Sequence, residues 1–218
     1  MSVKKRKGNG ISSNQGFTLI EMAIVLIIIG IIIGAVVKGK DLIRGAEQKK
    51  IYAKFINEWR IAYLNFYDRT GMVLGDTDAT KDGHSNNNTS CANIINGSGG
   101  SPPTYYGLIQ VGLKAPSTNA GDECTYRYTD SEGGMHEIGI SFAYGTDAQT
   151  GTAGYNYMAL VKLPIELAIA LDRMIDSEAD GTKGDFIRVT GGNRIAWIRN
   201  PGDTPTTETQ VARWKMEF

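Results

Sequence analysis

The chain has 218 residues, with 23 cationic and 23 anionic side chains and 41% hydrophobic residues. Zero net charge, with no basic tract beyond the first few residues, provides no electrostatic footprint for nucleic acid. There is no G-x-S-x-G, H-E-x-x-H, phosphate-loop or dinucleotide fingerprint, and neither histidine, His84 or His136, has a companion at metal or triad spacing, so the chain does not read as an enzyme.

Four cations, Lys4-Lys5-Arg6-Lys7, precede an apolar run in which every residue from Met22 to Val37 is apolar or glycine. Counted from Phe17, only Thr18 and Glu21 interrupt a segment of 21 residues. That length spans a bilayer, because a helix rising ~1.5 Å per residue needs roughly 20 residues for ~30 Å of hydrocarbon. The basic cluster keeps the N-terminus cytoplasmic and places the chain beyond the span outside. Lys38, Lys40, Arg44, Lys49 and Lys50 after the span weaken that bias. A simple anchor and a secretory signal peptide both fit the run, although Gly34-Ala35-Val36-Val37-Lys38 is a poor signal-peptidase site. Neither needs Glu21, a carboxylate that costs about 2.5–3.5 kcal/mol inside a span and by default marks a function.

Gly16-Phe17-Thr18-Leu19-Ile20-Glu21, behind a short basic leader, resembles the processing site of type IV pilins and type II secretion pseudopilins. The resemblance is specific but short, covering the leader and the first helix. It implies that prepilin peptidase removes residues 1–16 by cutting between Gly16 and Phe17, and that the new Phe17 amine is N-methylated. Residues 17–37 then stay on the mature protein as a membrane and filament-core helix. Glu21 lies one helical turn from Phe17, on the same face. Similarity to the family suggests that Glu21 pairs with the Phe17 amine of a neighbouring subunit, since a buried lone carboxylate costs several kcal/mol. Gly30 and Gly34 form a small-xxx-small pair that permits close helix approach, or are simply glycines of a transmembrane helix. The family's frequent proline near Lys38 is missing, and the chain has none before Pro102.

From residue 38 the pattern becomes amphipathic: Tyr52, Phe55 with Ile56, Trp59, Ala62 with Tyr63, and Phe66 with Tyr67 recur every three or four residues. The spacing predicts a helix to Arg69, ended by Thr70-Gly71, with its aromatic row as the core against a sheet. Residues 71–218 form the globular head. Gly75 to Pro103 reads as an exposed loop region, and its N-glycan patterns, such as Asn87-Asn88-Thr89 and Asn96-Gly97-Ser98, are what Asn-rich loops produce by chance. Cys91 and Cys124 fall in the exported part, where they form one disulfide or remain two buried thiols.

Beyond Cys124 the period switches to two. Ile138, Ile140, Phe142 and Tyr144 mark one strand, Tyr155 to Lys162 a second, and 186–189, 194–199 and 211–216 further short ones. Pro164 opens a short helix with Leu167, Leu171, Met174 and Ile175 on one face. The fold class is α+β, a long N-terminal helix packed on a mainly antiparallel sheet. Asp176, Glu178, Asp180 and Asp185 around Gly181 resemble part of a calcium loop, although Ile187 stands where an EF-hand needs its bidentate Glu; the other reading is a solvated acidic turn.

These residues describe a structural subunit of a type IV pilus-like or type II secretion filament, a minor pilin or pseudopilin rather than a small major pilin. Its partners are other pilins or pseudopilins, prepilin peptidase/methyltransferase and the bacterial inner membrane, with the head periplasmic and later on a periplasmic or cell-surface filament. No cofactor is expected unless the acidic loop takes calcium. The rival reading is a membrane-anchored, non-polymerising domain that binds a ligand or calcium.

Overall fold

The computed structural model describes residues 17–76, 82–85, 90–98, 106–151, 153–198, 202, 204–209 and 211–217. The chain divides into two compact units, one ending at Ile43 and the other comprising Arg44–Phe218. Helix α1 runs Leu19–Ile51, a π-helical turn follows at Tyr52–Ile56, and α2 runs Asn57–Thr70. The Thr70-Gly71 stop acts as the sequence predicts. Gly71 takes a left-handed φ of 67° and its N–H donates to the Tyr67 carbonyl, a geometry that glycine adopts without Cβ strain.

The aromatic row is core. Trp59 and Tyr63 meet Phe142 with ring centroids 6.1 and 5.2 Å apart, and Phe55 meets Tyr126 at 5.1 Å. Ile51, Phe55, Ile56, Trp59, Ala62, Tyr63 and Phe66 are all buried. The π turn is not visible in the spacing. Its widened backbone lets Asn57 N–H reach the carbonyl of Tyr52, five residues back, and brings Ile51, Phe55 and Ile56 into the core together.

The strands of the main head sheet are β1 Thr125–Thr129, β2 Met135–Gly145, β3 Tyr155–Val161, β5 Phe186–Thr190, β6 Asn193–Ile195 and β8 Ala212–Lys215. These six lie in the order β1-β2-β3-β8-β5-β6, every pair antiparallel. A second, two-stranded piece pairs β4 Leu163–Pro164 with β7 Glu208–Thr209, and α4 spans Ile165–Ile175. The returning chain places β8 between β3 and β5. On α4, Leu167 and Leu171 are buried and Met174 and Ile175 pack against the core, the face the sequence predicts.

Two expectations need correction, and one strand is added. The strand expected over 194–199 stops at Ile195, because Trp197 leaves the ladder to pack on Phe186 at 5.3 Å and to donate its Nε1–H to Asp172 at 2.6 Å. The loop region after Gly75 is not uniformly exposed. It contains α3, Cys91–Asn96, whose Ile94 and Ile95 are buried, and Ser85 is buried with its N–H on Asn156 Oδ1 at 2.8 Å. Strand β1 is an addition to the expected set, although Tyr126 and Tyr128 alternate in burial with Arg127 as a half-buried strand should.

Cys91 and Cys124 are joined in a disulfide, which ties the first turn of α3 to the residue before β1. The outer edge of β1 is occupied by a side chain. The Asn119 carboxamide accepts from Arg127 N–H at 2.7 Å and donates to Arg127 C=O at 2.9 Å, while the Thr118 hydroxyl donates to the Thr125 carbonyl.

Candidate assembly site

The segment that carries the sequence argument begins at Phe17; Gly16, the basic leader and the Asn87 glycan pattern lie outside the described residues. Thr18 immediately precedes α1 and Glu21 sits in its first turn. The Glu21 Oε2 accepts from Thr18 N–H and from the Thr18 hydroxyl, both at 2.8 Å, while Glu21 N–H donates to Thr18 Oγ1 at 3.3 Å. This is a capping box: two backbone N–H groups that lack helical partners are each satisfied by the other residue's side chain. Charge alone marks Glu21 as needing a partner from elsewhere. The T-x-x-E spacing before an apolar run is the signal for a partner within its own chain.

From Phe17 to Ile43 every residue is exposed except half-buried Gly39. Leu19 is 91% exposed and Leu26 69%. The helical stretch Leu19–Thr70 is, among the described residues, the one long and apolar enough to cross a membrane, and its most apolar window buries nothing within the chain. Burying one Leu or Ile is worth about 1.5–3 kcal/mol, so the run holds tens of kcal/mol of apolar surface for lipid or other helices to cover. A Cβ added at Gly30 or Gly34 would meet nothing within 4 Å, which leaves both positions open to a closely approaching helix.

The acidic loop is arranged as a turn. Asp176 Oδ2 accepts from the N–H groups of Asp185 and Phe186 at 3.0 and 2.8 Å. Asp180 Oδ1 accepts from Thr182 N–H and its hydroxyl, and Lys183 approaches Asp180 at 3.2 Å and Glu178 at 4.0 Å. Asp185 lies 4.0 Å from Lys215 Nζ. Among the described residues, the His, Cys, Asp and Glu ligand atoms that gather in a group of three within 4.8 Å are those of Cys91, Asp122 and Cys124, and both sulfurs there are spent in the disulfide. The four candidate calcium ligands form no such group. Beside them Asp172 is buried, which pushes its carboxyl up to about 6 despite the Trp197 hydrogen bond, with the Asp176 charge adding to the rise.

The histidines separate. His84 stacks on Tyr144 with centroids 3.5 Å apart, and its ring lies 3.6 Å from Asp82. His136 has no companion at motif spacing, yet folding supplies two: it sits between Asp130 and Glu208, 6 and 72 residues away in the chain.

Residues 11–37 match the family described as the prokaryotic N-terminal methylation motif. No curated protein and no solved structure matches the chain. That motif, the long N-terminal helix with its exposed apolar half, and the α+β head with its antiparallel sheet together support the resemblance to type IV pilins and pseudopilins.

Proposed function

We propose that the protein is a minor pilin or pseudopilin, polymerising through its N-terminal helix into a type IV pilus-like or type II secretion filament. The observation that carries this reading is that the apolar run within the matched methylation motif, Met22 to Val37, is exposed along its whole length. Prepilin peptidase cuts between Gly16 and Phe17 and the Phe17 amine is methylated. The subunit waits in the inner membrane with its N-terminus cytoplasmic and its head periplasmic. In the waiting subunit Thr18 occupies the Glu21 carboxylate. On assembly the helix leaves lipid for the filament core, and Glu21 pairs with the Phe17 amine of a neighbour, which fixes register because an unpaired buried charge costs several kcal/mol. The size of the head favours a minor pilin or pseudopilin over a small major pilin. The chemistry is structural, with no catalytic step.

The test is intact mass combined with Glu21→Val. Protein from its native membrane should begin at methylated Phe17, and Glu21→Val should be processed and inserted normally yet yield no filament. A chain beginning at Met1 would overturn the processing step. A Glu21→Val protein that still fills filaments at the normal level would overturn the pairing role of Glu21, and unaltered protein that is never found in a filament would leave an anchored, non-polymerising domain as the better account.

A further inference from the structure

The β1–β2 turn is built around Asp130, whose side chain is 4% exposed. Its Oδ1 accepts from the N–H groups of Glu132 and Gly134 at 2.8 and 2.7 Å, which leaves Oδ2 for His136 Nε2 at 2.8 Å. On the opposite side of the ring, Nδ1 lies 2.8 Å from Glu208 Oε1. Ionised carboxylates only accept hydrogen bonds, and neutral imidazole has a single N–H. Both contacts can be made together only by the imidazolium.

Glu208 belongs to a strap, residues 204–209, that does a second job. Pro164 precedes α4 and no side chain caps that helix. Instead Ile165 N–H donates to the Thr207 carbonyl at 3.0 Å and Glu166 N–H to the Pro205 carbonyl at 2.8 Å, so the strap supplies acceptors that the first turn of a helix otherwise lacks. Pro164 pairs with Glu208 across β4 and β7.

We propose that His136 is a proton-operated clasp: charged, it fastens the strap to the β1–β2 turn and keeps α4 capped; on losing its proton it releases Glu208 and loosens the cap. Glu208 is the side that opens, being 44% exposed on a two-residue strand, whereas Asp130 is nearly buried and held by two turn amides. The other polar groups around the clasp are otherwise engaged. Tyr128, opposite His136 on β1, donates its hydroxyl to Glu166 Oε1 at 2.8 Å, and Ser131 N–H donates to the same oxygen at 3.0 Å. The Arg44 guanidinium donates to the Ser131 carbonyl at 3.4 Å. Burial, and then the Glu166 bond, hold the Tyr128 phenol far above its ordinary range, so it stays neutral throughout.

The sign is set by the ring's surroundings. Burial alone would lower the His136 pKa, but the bonds to Asp130 and Glu208 together outweigh it and raise it. The clasp is therefore closed below the ordinary histidine range and opens as pH rises through the raised value.

The test uses the whole chain in detergent micelles between about pH 6 and about pH 9. Amide hydrogen exchange, corrected for intrinsic rates, is followed at Ile165 and Glu166, alongside the NMR titration of His136. Protection of those two amides should fall about tenfold across the His136 titration while the β2–β3 ladder holds. Glu208→Gln, at an exposed position that leaves the core untouched, should lower the His136 midpoint and remove the step; His136→Gln should remove the step as well. Protection that ignores the titration, a Glu208→Gln midpoint unmoved, or a β2–β3 ladder that loosens in parallel would each overturn the clasp.

Discussion

Two stretches of the N-terminal helical region are rich in large apolar side chains and end in opposite surroundings. Between Leu19 and Ile43 the side chains are exposed all round; between Ile51 and Phe66 one face is buried to 0–7% exposure and the rest is solvated. The second stretch finds its partners within the chain, in Tyr126, Phe142 and Trp214. The first finds none among the described residues of its own unit, and hydrophobic surface on that scale is not left in water. What separates them is polar punctuation. Lys54, Asn57, Glu58 and Asn65 divide the second stretch into two faces, whereas Met22 to Val37 has no polar side chain to define an outside.

The sharpest way to break that contrast is Glu21→Val. It should abolish filaments altogether while the head unfolds at the same denaturant concentration as before. Next in size, Trp59→Ala should cost the head about 3–5 kcal/mol in urea unfolding, whereas Ile27→Ala, at a 63% exposed position, should leave that transition unmoved. Equal effects of the two would break the contrast. Opening the disulfide, by reduction or by Cys91→Ser with Cys124→Ser, should cost roughly 3–4 kcal/mol, because the bond closes a loop of sequence separation 33.

Asp172 gives the smallest effect and the clearest sign. Its folded pKa of about 6 lies above the ordinary 3.8, so the native state binds the proton more tightly than the unfolded chain. Stability should therefore fall as pH rises from about 4 to about 6, by on the order of 2 kcal/mol. Asp172→Asn, which retains an oxygen acceptor for the Trp197 indole, should flatten that slope in pH-dependent urea titrations.

The parts of this molecule legible in the sequence are those specified by local pattern. The apolar run, the Thr70-Gly71 stop, the period-two strand around Ile140 and the helix after Pro164 each depend on neighbours a few residues away. The motif residues Phe17 to Glu21 are legible for the same reason, and their capping box is there to be read in T-x-x-E. What escapes depends on distant pairings. His136 acquires its meaning from Glu208, and Trp197 leaves its strand because Asp172 and Phe186 await it. The π turn escapes differently, since one extra residue in a helical turn leaves the apolar spacing almost unchanged.

The Asn119 carboxamide, seated on the backbone of Arg127, has a consequence for crowding. In the proposed filament, heads tethered along the polymer would meet at millimolar effective concentrations. At such concentrations an open strand edge recruits its neighbour's backbone, and sheets fuse without regard to register. A single side chain that imitates one residue of an incoming strand stoppers β1 at its middle, so cohesion between copies is left to surfaces that can specify geometry.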